Sequence, residues 1–289
     1  SRGLGDVYKR QGMKRVAAVM IYALSAVIGV AAFAYPFVLP QTGLAETAHA
    51  VDAPLLTTFL IVISLAVLLV EVQGQAVSAK VVAALGVLVA ITAVLRFVEV
   101  IVPIAGGFTP IFVPIILAGY VFGARFGFLL GTMALLASAL VTGGVGPWLP
   151  YQMFTAGWVG MSAGWLPHPP GQRAQLILLA GFGLLWGLLF GVIMNLYFWP
   201  FVVDGGATSW QPGAGVGDGI GRYAAFYAVT SLVWDLGRAA GNVILILVLG
   251  MPAVRALIRF RDRFQFKVES REQKAEIGVL TAELLRADS

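Results

Sequence analysis

Long apolar runs separated by short polar connections dominate the hydrophobic pattern of this 289-residue chain. An α-helix of about 20 residues crosses a hydrocarbon core of roughly 30 Å, and most of the runs approach that length. The pattern therefore predicts an all-α polytopic membrane protein with eight membrane-spanning helices. The predicted spans cover residues 16–38, 55–71, 80–103, 109–122, 126–142, 150–166, 174–201 and 222–250.

Basic residues alternate along the connections between these spans. The connections at 39–54, 104–108, 143–149 and 202–221 contain no Lys or Arg. Both ends and the connections before 126 and 174 contain them, and Lys80 directly follows the connection at 72–79. Because Lys and Arg are enriched on the cytoplasmic side of membrane proteins, those four connections are predicted to face outside and both termini to be cytoplasmic. The residues on the predicted cytoplasmic side are Lys14, Arg15, Lys80, Arg125, Arg173, Arg255, Arg259, Arg261, Arg263 and Lys267.

The composition supports a membrane protein and excludes several kinds of site. The chain is 59% hydrophobic and 11% charged, against about 25% charged residues in soluble domains. It has no cysteine, and its two histidines, His49 and His168, lie in separate predicted loops, so we predict no metal site and no cofactor. The net charge of +5 belongs to the cytoplasmic ends and does not indicate a nucleic-acid partner.

Four segments are predicted along the chain. Residues 1–12 have no apolar face and are interpreted as a disordered or non-native leader, and residues 13–78 as two N-terminal transmembrane helices, the first of them an uncleaved span rather than a cleaved signal. Residues 79–250 form the predicted substrate-binding membrane core. Residues 251–289 form a basic, then charged, amphipathic tail that rests on the membrane or docks a cytoplasmic partner.

The sixth span contains the sequence G-x-S-x-G at residues 160–164. In serine hydrolases this motif requires a sharp strand-to-helix turn and a histidine base, and Ser162 has neither in the predicted helix. Small residues recur every four positions at Ala156, Gly160 and Gly164, which places them on one helix face. Such a face allows close approach of another backbone, so the motif is interpreted as a helix-packing surface.

Apart from Glu71, Lys80 and Arg222 at the span ends, four ionisable residues fall within or near the edge of predicted spans. Arg96 and Glu99 are three residues apart, as are Asp235 and Arg238, so each pair shares a helix face. Each pair either neutralises itself or lines a polar cavity, because charges within a bilayer pair or face water. Their depth favours a cavity, with the first pair in the outer half of the third span and the second at middle depth in the eighth.

Aromatic and amide side chains occur at the same level in the sixth and seventh spans. Together with the charged residues they predict a pocket that receives a small amphipathic ligand from outside. Trp148 is open to a second interpretation, as a residue of the interfacial aromatic belt. The other candidates are Tyr151, Gln152, Trp158, Asn195 and Trp199.

The stretch from Pro110 to Gly164 resembles the signature of the substrate-binding S components of energy-coupling factor (ECF) vitamin transporters, nearest to the cobalamin-specific type. It has a short helix, a G-x-R-F-G turn, a second helix and then the sequence GPW-x-P-[YW]-Q-M. The resemblance covers residues 79–250 and implies a six-helix core, to which this chain adds two N-terminal transmembrane helices.

The resemblance also implies a function and partners. Such a protein lies in the plasma membrane of a prokaryote, binds a vitamin or vitamin precursor, and docks on a transmembrane coupling subunit driven by two cytoplasmic ATPases. Small residues on the first core helix meet the coupling subunit, and here the matching positions are Ala79, Ala83, Gly86 and Ala90. The vitamin itself stays open among a corrinoid, a flavin, a pyrimidine and a queuosine precursor.

Two other functional classes remain as alternatives. A stand-alone secondary transporter of a small amphipathic solute would use the charged pairs for ion coupling, although the two halves of the chain show no repeat. An intramembrane enzyme lacks a nucleophile–base set in this sequence. The chain has no G-x-x-x-x-G-K-[ST] loop for ATP, so transport energy must come from another polypeptide or an ion gradient.

Overall fold

The computed structural model describes most of the chain from residue 78 onward and part of its N-terminal region. The described residues are 20, 23–24, 26–37, 55, 58–59, 62, 78–101, 107–202 and 206–287, with backbone alone at 78–80 and 263–287. The predicted leader and most of the predicted second span lie outside them.

The described residues form α-helices joined by turns and contain no β-strand, which confirms the predicted all-α class. Four helical segments have the length and hydropathy to cross a membrane: Val81–Ile101, Ala124–Thr142, Gln172–Phe201 and Leu232–Asp262. The six-helix core and the two additional spans stay predictions. The helices are α1 (Ala26–Phe37), α2 (Ser78–Ile101), α3 (Phe112–Phe122), α4 (Ala124–Thr142), α5 (Leu149–Ala163), α6 (Gln172–Phe198), α7 (Val216–Thr230) and α8 (Leu232–Ala287), and a 3-10 turn, Trp199–Phe201, extends α6.

Small residues bring α4 and α5 together. A Cβ on Gly160 would overlap the backbone of Gly127, and one on Gly131 would overlap the carbonyl of Ala156. Gly164 meets the backbone of Ala124 in the same way. The sequence interpretation of Ala156, Gly160 and Gly164 as a packing face is therefore confirmed, because no larger side chain leaves room for this approach.

A second close crossing joins α6 to α8. Gly183, Gly187 and Gly191 follow one face of α6, and a Cβ on Gly187 would overlap the backbone of Ala239 on α8. Asp235 lies directly against Gly191. Three glycines spaced by one helical turn thus allow polar side chains of α8 to reach the backbone of α6.

The predicted span at 222–250 is wrong at its start. The structure has two helices there, because α7 ends at Thr230 and α8 begins at Leu232, with Ser231 between them at φ −130°. The Thr230 hydroxyl donates to the Phe226 carbonyl at 2.7 Å, and such side-chain bonds compete with the helical backbone ladder. Asp235 consequently lies in the first turn of α8 rather than deep within a helix.

Helix α7 also differs from a spanning helix. It has 15 residues, or roughly 22 Å at 1.5 Å per residue, which is shorter than a hydrocarbon core. Helix α8, by contrast, continues past residue 251 to Ala287, with Pro252 inside it. The predicted tail therefore begins as an extension of the last core helix.

Candidate substrate site

The Arg96–Glu99 pair lies at the last turns of α2. An Arg96 guanidinium nitrogen donates to Glu99 Oε1 at 2.7 Å, and the Thr109 hydroxyl donates to the same oxygen at 3.2 Å. Thr109 belongs to the turn before α3, and Gly107 in that turn has φ +78° and packs on the backbone of Trp234. A side chain at Gly107 would separate the turn from α8, so this glycine positions Thr109 beside the pair.

The Asp235–Arg238 pair lies at the start of α8. The guanidinium of Arg238 donates to Asp235 Oδ1 and, at 3.3 Å, to the carbonyl of Gly187. Its carbon lies 5.2 Å from the ring centroid of Phe190 and 5.9 Å from that of Phe112. The side chain of Asp235 is 2% exposed, so the pair is buried in protein.

The two pairs form one charged cluster. The turn that places the Thr109 hydroxyl on Glu99 also packs, through Gly107, on the backbone of Trp234, the neighbour of Asp235. Within the described residues, Glu99 Oε2, Asp235 Oδ2 and Arg238 Nε are buried without a hydrogen-bond partner. Buried polar groups are normally satisfied by protein, water or ligand. Because Asp235 Oδ2 packs against Gly191, Glu99 Oε2 and Arg238 Nε are the acceptor and the donor that remain for a bound molecule.

Tyr151 and Trp158 of α5 belong to an aromatic cluster. The ring centroid of Tyr151 lies 4.9 Å from Phe33 of α1 and 4.8 Å from Tyr197 of α6. Trp158 lies 6.1 Å from Phe33, and its indole N–H is buried without a partner in the described structure. This cluster offers ring faces and one free hydrogen-bond donor.

Helix α6 connects the charged and aromatic clusters. Phe190, which contacts Arg238, and Tyr197, which contacts Tyr151, are seven residues apart and therefore share a helix face. Their separation along the axis is about 10 Å at 1.5 Å per residue. Met194 lies between them and accepts a hydrogen bond from Thr155 of α5 at 3.7 Å.

The remaining predicted site residues have protein partners or a different position. Asn195 exchanges two hydrogen bonds with the Ser231 hydroxyl at 2.8 and 3.0 Å, which fixes the break between α7 and α8 to α6. Trp199 donates to the Thr208 carbonyl at 2.8 Å. Gln152 is half-buried. Trp148 is 43% exposed and donates to the Gly144 carbonyl at 3.2 Å, as an interfacial belt residue would.

Sequence reasoning missed three residues of these clusters. Thr109 comes two residues after a Gly-Gly pair at a span edge, and this predicted turn was the only indication in the sequence that Thr109 could contact the Arg96–Glu99 pair. Asn242 is a fully buried amide in the α6–α8 crossing and donates to the Gly183 carbonyl at 3.0 Å; a polar residue within an apolar run could have indicated it. The sequence contains no indication that Phe33 belongs to a cluster, because an apolar residue in a span is compatible with contact to lipid or to protein.

A comparison with protein-family profiles matches residues 80–250, more than half of the chain, to the ECF transporter, substrate-specific component family. The chain belongs to this family. Both charged pairs and the α5 aromatic residues lie inside the matched region, whereas α1 lies before it. Neither the curated proteins nor the solved structures include a match to the chain.

An ECF substrate-specific component is a membrane subunit that binds substrate and is not an enzyme, and the geometry of Ser162 agrees with that role. Ser162 lies within α5, where its hydroxyl donates to the Trp158 carbonyl at 2.6 Å and accepts from the Trp186 indole at 3.1 Å. The G-x-S-x-G sequence is thus part of a helix and its serine is engaged in helix packing.

The predicted docking positions of this ECF component lie on one side of α2. Ala83, Gly86 and Ala90 are exposed, and a Cβ on Gly86 would meet no atom. Ala79 lies in the part of α2 described by backbone alone. Beside them is an apolar cavity of about 380 Å³ between α2, the end of α3 and α8, with Ala83, Phe122 and Phe260 in its lining.

Proposed function

We propose that this ECF component captures a vitamin or vitamin-like micronutrient, with a corrinoid among the candidates, from outside the cell. It then presents the substrate to a transmembrane coupling subunit powered by two separate ATPase subunits. The observation that carries the proposal is the charged cluster. It brings together two guanidinium groups and two carboxylates, of which Asp235 is buried and the others are partly buried. It leaves Glu99 Oε2 and Arg238 Nε without a hydrogen-bond partner and continues along α6 into the aromatic cluster.

The clusters suit a substrate with a planar ring and several polar groups. The charged cluster has no net charge and presents both donors and acceptors, so it favours an uncharged polar or zwitterionic group over a simple anion. Tyr151 and Trp158 supply ring contacts about two helical turns away. Leaving the buried polar atoms of this site unpaired is costly, so an analogue that lacks the matching polar groups binds more weakly.

The substrate site and the docking face lie at different ends of α2. Arg96 and Glu99 lie in its last turns, whereas Ala83 and Gly86 lie near its start. With the N-terminal end of α2 in the cytoplasm, as the basic residues indicate, the site opens toward the outside and the docking face lies near the ATPases. The cavity beside Ala83 then provides room for side chains from a helix of the coupling subunit.

The orientation has a direct test, because the chain contains no cysteine of its own. A cysteine at Thr208 should react with an impermeant maleimide added to intact cells, and one at Ser289 should react only after the cells are opened. Labelling of both from the same side would contradict the orientation and with it the direction of uptake.

The function is tested by purifying the chain alone in mild detergent and identifying co-purified small molecules by mass spectrometry. We expect one vitamin-like compound, no nucleotide hydrolysis, and no uphill uptake by vesicles that contain only this chain. The buried ion pairs are also what a carrier would use. Concentrative uptake of that compound by the chain alone under a proton or sodium gradient would therefore establish the secondary-transporter alternative.

A further inference from the structure

Helix α1 lies outside the family region, yet its buried face is directed at the substrate site. Residues 29, 32, 33 and 36 are buried, which is the spacing of one helix face, whereas Val27 and Val30 are exposed. Phe33 is 6% exposed although it belongs to an apolar span. Helix α1 therefore packs against protein along one defined face.

The surface that α1 covers is the aromatic cluster. A Cβ on Gly29 would overlap the rings of Trp158 and Phe154, so this glycine allows α1 to approach α5 closely. One turn later, Phe33 contacts both Tyr151 and Trp158 at centroid distances of 4.9 and 6.1 Å.

At its end, α1 also reaches the connection after α6. The ring of Phe37 lies 5.1 Å from Trp210 and 6.0 Å from Trp199, and these two tryptophans lie 5.1 Å from each other. The backbone N–H of Trp210 donates to the Val202 carbonyl at 3.2 Å, which holds this connection against the end of α6. Helix α1 is thus held at both Phe33 and Phe37.

The indole of Trp158 is the observation that indicates a ligand at the edge of the α1–α5 contact. Its N–H is buried at the α1–α5 contact and has no partner in the described structure. Buried indole N–H groups usually find an acceptor. Neighbouring α1 presents Gly29 and Phe33 there, and neither has a side-chain acceptor.

From these contacts we infer that α1 is part of the substrate site, with Phe33 as a substrate-contacting, specificity-determining residue. The inference rests on the proposed function. Phe33 contacts Tyr151 and Trp158 directly, so the planar part of the substrate lies beside these three rings rather than between them, and an acceptor on it takes the indole N–H of Trp158. An ECF component that lacks α1 would leave this side of the site open, so α1 restricts the substrates that this chain accepts.

The test replaces Phe33 with the photo-crosslinking amino acid p-benzoylphenylalanine in the full chain. Val30, one turn earlier and 59% exposed, receives the same replacement as the matched control. After irradiation of membranes, intact-mass analysis should show at position 33 an adduct of the compound that co-purifies with the unmodified chain. Position 30 should show lipid adducts only.

Two further results separate this inference from the proposed function. Phe33→Leu keeps an apolar side chain and removes the ring, and it should lower retention of the co-purified compound about threefold to tenfold, the effect of one ring contact. Val30→Leu should retain it normally. If the compound co-purifies but position 33 gives no adduct, or if Phe33→Leu retains it fully, α1 is only a packing helix and the proposed function stands. Absence of any co-purified compound together with no adduct at position 33 would reject both.

Discussion

Replacing Arg238 with methionine tests whether the charged cluster is a buried binding site or a hydrated surface pair. The substitution keeps an apolar stem beside Phe112 and Phe190 and removes the guanidinium. Asp235, whose side chain is 2% exposed, then loses its ion-pair partner while it stays enclosed by protein. The variant therefore isolates the cost of an unpaired buried carboxylate.

Removing one partner of a buried ion pair costs about 3–5 kcal/mol. At about 2–4 °C per kcal/mol for a chain of this size range, the thermal midpoint in detergent should fall by about 6–20 °C. The matched control is Arg222→Met in the Arg222–Asp218 pair, whose side chains are 21% and 56% exposed. An exposed pair contributes about 0–1 kcal/mol, so this control should lower the midpoint by no more than about 4 °C.

A second variant, Asp235→Asn with Arg238→Met, separates stability from binding. It removes both charges together, so it should recover much of the stability that the single variant loses. It should not recover binding, because the free Nε of Arg238 is one of the donors proposed for the substrate. The assays are thermal unfolding by circular dichroism and retention of the co-purified compound by mass spectrometry.

Two outcomes would refute this reasoning. If Arg238→Met is no more destabilising than Arg222→Met, Asp235 is hydrated and the cluster is not a buried site. If the double variant retains the compound as well as the unmodified chain does, Arg238 does not contact substrate and the polar part of the site lies elsewhere.

Three more predictions test other parts of the structure. Trp158→Phe keeps an aromatic ring and removes the indole N–H, so it should weaken retention of the compound about tenfold, the effect of one lost hydrogen bond. Retention is measured by mass spectrometry, and unchanged retention would show that this donor does not contact the substrate. Gly187→Ala should lower the thermal midpoint, because the added Cβ overlaps Ala239. Gly181→Ala adds a Cβ into open space and should leave the midpoint unchanged or raise it. Equal effects of the two variants would contradict the close crossing of α6 and α8. Ala83→Trp should abolish uptake by the complete transporter in vesicles while leaving retention intact; loss of both would place Ala83 in the fold instead.

The helices and their packing faces could be predicted from local sequence. Apolar runs located α2 to α6 to within a few residues, and the four-residue spacing of Ala156, Gly160 and Gly164 predicted the face that contacts α4. Both ion pairs were also predictable, because residues three apart on a helix share a face. These features depend only on helix periodicity, which the order of residues determines.

The end of α7 was less predictable. Residues 222–250 read as one apolar run, and the Thr230–Ser231 pair alone does not stop a helix. The break is held by Ser231, whose hydroxyl bonds Asn195 from another helix. A contact between residues far apart in sequence therefore decided where α8 begins and that Asp235 lies in its first turn.

The sequence alone determined that this chain is a helical membrane protein of the ECF substrate-specific type, because helix length, hydropathy and a long contiguous motif are local properties. Only the tertiary structure linked the two ion pairs through the turn at Gly107 and Thr109, gave Asn195 and Trp199 protein partners, and packed Phe33 of α1 on Tyr151 and Trp158. In a membrane, an apolar helix face has the same composition whether it meets lipid or protein. The partner of such a face is therefore decided by shape complementarity between helices, which the order of residues along one helix does not contain.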